Sequence, residues 1–200
     1  MKKAKMIALL LMAILVVSVA TAYGYMKITK PDKMSVMSEY LLPDLNKNQL
    51  VNHATDIISG EVVSSEVQDD VRGWPMTDYI IKVDKVFKGD PGVEVEVRTH
   101  GGENAKMKYI PGEDAIDFKV GERVVLFLSD DKEPDPNADD FGYYVVGVTL
   151  GKLKEENGTI KNEKFTFDAT TFEQELEQIE KDNKAKGLKQ LKAEPGEDGI

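Results

Sequence analysis

The 200-residue chain has no cysteine, only two histidines and a single tryptophan. Without cysteine there are no disulfides, no thiolate metal ligands, no thiol nucleophile and no site for a lipidated cysteine, so any folded part must be held by its own apolar core. A nucleophile elbow, a Walker phosphate loop, a zinc-protease helix and a dinucleotide fingerprint are all missing, so the sequence offers no catalytic set and calls for no cofactor. Positive charge is scarce as well: 26 Lys and Arg stand against 36 Asp and Glu, a net charge of −10. No basic face is concentrated enough to serve nucleic acid or an anionic lipid surface.

What the chain does have begins at its N-terminus. Lys2, Lys3 and Lys5 precede an apolar run from Met6 to about Ala22, and Ala20-Thr21-Ala22 has the small-x-small pattern of a signal-peptidase site. The run is also close to the ~20 residues that span a bilayer, and Tyr23 and Tyr25 suit the interface beside it. Residues 1–22 are therefore expected to be a signal peptide or an N-terminal membrane anchor, the membrane being met only through this segment. Either way the rest is exported, secreted or held at the membrane facing outward. Removing these residues takes three positive charges and no negative ones from −10 and leaves −13 on 178 residues.

Residues 23–44 show no sustained period and contain Pro31 and Pro43, as expected of a linker, either a stalk or an ordered lead-in. A short helix capped by Asp44 is expected over "LNKNQLVNHATD". Strands follow at 56–67, 77–87, 93–99, 122–129 and 143–150. In the third, Val93, Val95 and Val97 alternate with Glu94, Glu96 and Arg98, so Val95 is expected inside, together with Val125 and Phe127, and the two glutamates outside. "ERVVLFLS" is apolar on both faces, as in a strand buried on both sides. Asn157-Gly158 marks a hairpin. A helix capped by Thr170 or Thr171 and ended by Gly187 carries Phe172, Leu176 and Ile179 on one stripe. The expected domain is 45–187, with a disordered tail at 188–200: mainly β, a small antiparallel barrel with a short helix before it and an α-helix after it.

The pieces "DIISGEVVS", "YIIKVDKVFKG", "VEVRT" and "FKVGERVVLFL" resemble, in that order, the strands of netrin-like domains. These include the OB-fold inhibitory domain of tissue inhibitors of metalloproteases and related exported prokaryotic domains. The likeness covers about residues 53–155 and implies an OB-like barrel. The inhibitors chelate the protease zinc through an N-terminal cysteine; this chain has none, so that mechanism does not carry over.

Several residues stand out as sites. Trp74, beside Pro75 and Met76 between the first two strands, is either a contact point for a partner or a plug in one end of the barrel. His100-Gly101-Gly102-Glu103 reads as a rim where glycines let the backbone leave the sheet, and with Trp74 forms the expected partner-binding surface. His53 is expected at the surface. Asp135, Asn137 and Asp139 copy the first alternating ligands of a calcium loop, but Asp140 stands where glycine is needed and Val146 where the bidentate Glu is needed. Asn157-Gly158-Thr159 is a glycosylation sequon. The function these features imply is a binding or regulatory module for an extracytoplasmic protein or envelope component. A calcium-dependent adhesion module and an enzyme with an unrecognised site are the alternatives. N-terminal sequencing of protein from its native host tests export: a start at Tyr23 means secretion, an intact Met1 means anchoring, and recovery from the cytosol contradicts both.

Overall fold

The computed structural model describes Ser18 and residues 33–39, 42–112, 115–130 and 142–189. The chain divides into one unit ending at Lys33 and another beginning at Met34. The second unit is mainly β and holds two helices. Its elements are β1 (Met34–Ser38), α1 (Lys47–His53), β2 (Asp56–Asp69), β3 (Pro75–Lys88), β4 (Glu94–His100), β5 (Gly102–Glu103) and β6 (Met107–Pro111). After these come β7 (Arg123–Ser129), β8 (Tyr144–Val145), β9 (Lys152–Glu156), β10 (Thr159–Lys161), β11 (Thr166–Asp168) and α2 (Phe172–Lys186). Among the described residues no helix is long and apolar enough to cross a membrane; the run from Met6 to about Ala22 lies outside them except for Ser18.

The large sheet runs β11-β10-β9-β7-β2-β3-β4, with β8 also on β7, and curls into an antiparallel half-barrel. Three register shifts between β2 and β3, at Ile57/Ile58, Ser59/Gly60 and Val62/Ser64, supply the bend. At the open side, Tyr143 forms a parallel bridge to Val97 on the β4 edge. Gly142 makes this approach possible: a Cβ there would lie 2.1 Å from the Glu96 carbonyl oxygen. A small sheet, β1-β6-β5, has β1 parallel to β6 and so draws part of the 23–44 segment into the fold.

The apolar side chains divide into two large clusters on opposite faces of β7. Val124, Leu126 and Leu128 join Ile58, Val62, Ile81, Val95 and Val97 inside the curl. Val125 and Phe127 point the other way, into a layer with Leu50 and Val51 of α1 and Phe172, Leu176 and Ile179 of α2. The expectation that Val95, Val125 and Phe127 share one interior is thus corrected: side chains alternate along a strand, and β7 is covered on both faces. Glu94 is exposed and Glu96 half-buried. Three further expectations change. Asn46, not Asp44, caps α1 through a reciprocal box with Gln49, while Asp44 takes a hydrogen bond from Lys164 at 2.6 Å. The 143–150 strand stops after Val145, because Gly147 and Val148 both have positive φ and turn the chain. His53 is buried at the end of α1, and burial holds its imidazole below the usual range. The Asn157-Gly158 hairpin, the α2 stripe and the Gly187 stop stand as expected.

Glu122, in the turn before β7, fastens the sheet to β9. Its carboxylate accepts hydrogen bonds from Lys152 and Lys154, each at 2.8 Å, and from the Lys119 amide at 3.2 Å. Lys152 also lies over the Phe118 ring, 4.4 Å from its centroid. Burial alone would raise the Glu122 pKa, but these donors outweigh it and bring it down to about 2. A folded-state value below the ordinary 4.5 adds stability above that pH, and the addition is lost as pH falls from about 4.5 through 2. Glu122→Gln should therefore cost on the order of 2–3 kcal/mol at pH 7 and much less near pH 2. Urea titrations of both proteins at the two pH values check this, and an equal gap at both would contradict it.

Candidate functional site

The rim forms where the β2–β3 ribbon ends. Asp70 shapes the Asp70–Trp74 turn by accepting hydrogen bonds from the Arg72 amide at 2.9 Å and the Trp74 amide at 2.8 Å. Asn104 then fastens this turn to the β5–β6 turn: its amide donates to Asp69 at 2.7 Å, and its oxygen accepts from the Lys106 and Met107 amides. Trp74 is half-buried as a result, packed with Val36 against Met76, Met107 and Tyr109.

Trp74 and His100 flank the same ring. The indole meets Tyr109 edge-on at 5.3 Å, and the imidazole meets it edge-on at 6.1 Å. His100 is paired with Met76 across β3 and β4, which sets its side chain beside this third cluster. Gly101 and Gly102 follow with φ of 108° and 149°, turning the chain from β4 into β5. A Cβ on Gly101 would lie 2.7 Å from Pro111, and one on Gly102 would lie 2.8 Å from Val67. Both therefore serve as a close crossing. Glu103 is exposed and pairs with Lys108 across β5 and β6.

Two adjoining clefts open beside His100. One, of about 260 Å³, is walled by Arg98, Thr99, Ile116, Tyr144, Val145 and Val148. The other, of about 390 Å³, lies against Thr77, Tyr79, Gly102, Pro111 and Asp117, and His100, Thr99, Ala115 and Ile116 line both. Tyr79 and Ile116 also pack on the inner cluster, so the clefts sit at the mouth of the half-barrel. Thr99 donates to the Thr77 carbonyl at 3.2 Å, and Thr77 donates to the Gly101 carbonyl at 2.7 Å, which fixes both hydroxyls. Burial, and then the charge of Asp117, raises the Tyr79 pKa, so this phenol stays neutral. Val148 holds a φ of 63°, an uncommon conformation for a β-branched residue, and backbone strain of this kind gathers where a site needs a particular shape.

Arg98 gives the first cleft its polar floor, with Asp78 as its partner. They are 4% and 3% exposed, sit opposite each other across β3 and β4, and share two hydrogen bonds of 2.6 Å. The Asp78 hydrogen bonds raise the guanidinium's pKa further, outweighing its burial. Its charge is spent inside the protein, so an occupant of the cleft meets mainly Ile116, Val145 and Val148, with the His100 imidazole at the edge. Such a lining recognises an apolar group carrying a hydrogen-bonding partner.

His53 is far from this rim: it precedes the start of β2, whereas His100 lies by Met76, opposite the far end of β2. The two imidazoles do not meet. Among the described residues no group of three or more His, Asp or Glu is placed to hold a metal ion. Asp135, Asn137 and Asp139 lie outside the described residues. Asn157 sits exposed at its hairpin tip, where Thr159 donates to the Glu156 carbonyl at 2.7 Å. Sequence reading missed Tyr109, Met107, Ile116, Tyr144 and Val148. The alternation in Met107-Lys108-Tyr109-Ile110 was the one available signal.

No protein-family model and no curated protein matches the chain. Asp78→Asn would remove the carboxylate charge that both 2.6 Å hydrogen bonds of the buried Arg98 guanidinium reach and should lower stability by about 3–5 kcal/mol. Replacing both residues, with Asp78→Leu and Arg98→Met, should recover most of that loss. Urea unfolding of the single and double variants measures the coupling, and additive losses would show the pair to be independent.

Proposed function

We propose that this chain is an exported, netrin-like module of OB type that binds a partner outside the cell membrane through the His100 clefts and the Trp74 rim. The observation that carries this reading is the convergence of Trp74, His100 and Tyr109, from a turn and two strands, beside concave surface at the mouth of the half-barrel. Strand order supports the barrel type: β2, β3 and β4 run as a meander, β7 returns beside β2, and the Val97–Tyr143 bridge joins the last segment to β4. In OB barrels the face of the second and third strands and the loop between the first and second are the usual contact surfaces. Here these are β3, β4 and the Asp70–Trp74 turn. The apolar wall with one imidazole favours recognition of a protein or envelope component over a highly charged ligand, in keeping with the net charge of −10.

A benzophenone amino acid in place of Ala115, in the wall of both clefts, should cross-link one partner in intact cells of the native host. The same group in place of Val93, 82% exposed at the other end of β4, should give at least tenfold less. His100→Trp, which fills the clefts, should abolish capture from position 115. Capture from position 93 but not from 115 would place the contact surface elsewhere.

A further inference from the structure

β1 is an edge strand: it pairs with β6 on one side, and no described strand lies on the other. In the parallel register the Met34 amide donates to the Lys106 carbonyl at 3.1 Å, so Met34, Val36 and Ser38 direct their backbone groups at β6. Ser35 and Met37 therefore present theirs to the open edge. Natural edges are blunted by proline, charge, glycine bulges or cover. Met-Ser-Val-Met-Ser has none of the first three, and its methionines are 56% and 77% exposed.

The sequence of this edge is complementary to its own reverse. Laid antiparallel about Val36, each residue meets a fitting one on a second copy: Met34 opposite Ser38, Ser35 opposite Met37, and Val36 opposite Val36. Each methionine is matched with a serine. One step further out, Lys33 falls opposite Glu39, so the register is complementary in charge at both ends. Ser35 and Met37 would exchange their free amide and carbonyl groups with Met37 and Ser35 of the copy, closing four hydrogen bonds around a two-fold axis. A shift of one residue in either direction breaks the charge match, and in one direction it sets Met34 on Met37.

We infer that two copies of this chain pair through β1, antiparallel and centred on Val36, to make one continuous six-stranded sheet from two small sheets. The residues that carry this are Lys33 to Glu39, and the partner is a second copy of the same chain.

Because the chain has no cysteine, directed cross-linking reads the register cleanly. At a non-hydrogen-bonded pair the two Val36 Cα atoms would be about 4.5 Å apart, within the roughly 4.4–6.8 Å of a disulfide. The full chain in excess detergent, mildly oxidised, should give a covalent dimer with Val36→Cys. Met37→Cys alone should cross-link at least tenfold more slowly, because its equivalents lie too far apart, whereas Ser35→Cys mixed with Met37→Cys should join. If Val36→Cys disturbs the fold by circular dichroism, the mixed pair is the deciding measurement. Sedimentation should give twice the 22.3 kDa chain mass for the wild type and a single mass for Met37→Pro, which removes an outward amide and leaves the β6 pairing intact. Equal cross-linking of Val36→Cys and Met37→Cys, or a monomeric wild type with no cross-linked product, would overturn the inference. So would an edge found occupied by a different protein.

Discussion

The two-sided burial of β7 is the constraint on which the rest of the structure depends. Its five central residues, Val124 to Leu128, alternate between the inside of the curl and the helical layer, and none is left to water. A strand in this position needs partners along both edges and cover on both faces. β2 and β9 supply the edges, and α1 and α2 supply the outer cover through Leu50, Phe172 and Leu176. The helices hold their place by polar contacts as well as packing. Lys47 meets Glu175 at 2.6 Å, and Asn183 donates to the Asn48 carbonyl at 2.8 Å. α1 and α2, more than 100 residues apart in sequence, thus close one lid over the strand.

Charge is used in the interior with restraint. The Arg98–Asp78 pair is almost wholly buried, and such a pair is tolerated because the two guanidinium donors that reach Asp78 each meet a carboxylate oxygen. Tyr143 shows the opposite pressure. Burial, the charges of Asp56 and Asp130, a hydrogen bond to Asp56 and the charge of Asp90 all push its phenol up, keeping the hydroxyl a donor to Asp56. Asp56 in turn accepts from the Asp90 amide at 3.0 Å and the Thr55 hydroxyl at 2.8 Å, holding the Gly89–Gly92 turn against the start of β2. A handful of buried acids therefore positions the backbone, while the excess of negative charge stays outside.

How much of this was legible follows from what each segment had to satisfy. Strands β2, β3, β4 and β7 are seven residues or longer and alternate or run apolar through part of that length, so their period stood out, as did the Phe172, Leu176, Ile179 stripe and the Asn157-Gly158 hairpin. The division of β7 between two cores was hidden because Val-Val-Leu-Phe-Leu has no polar residue to mark a face. β1, β5 and β6 were hidden for another reason: they are short, and β1 is a strand because β6 lies beside it. Asp44 and Asn46 are both good caps, and the choice fell to the residue whose partner three positions on, Gln49, can reach back. The site was half visible. Trp74 and His100 drew notice as rare residues, but Tyr109, which brings them together, lies in a segment whose fold depends on distant pairing, and the strain at Val148 leaves no mark in sequence.

The position of the lone tryptophan has a practical consequence. An indole half-buried edge-on to Tyr109, one ring away from His100, emits from the rim and nowhere else in the molecule. Its intrinsic fluorescence is a built-in spectroscopic reporter: changes in polarity or quenching beside the clefts register in one signal without a label, while events confined to the helices or the β9–β10 hairpin leave that signal unchanged.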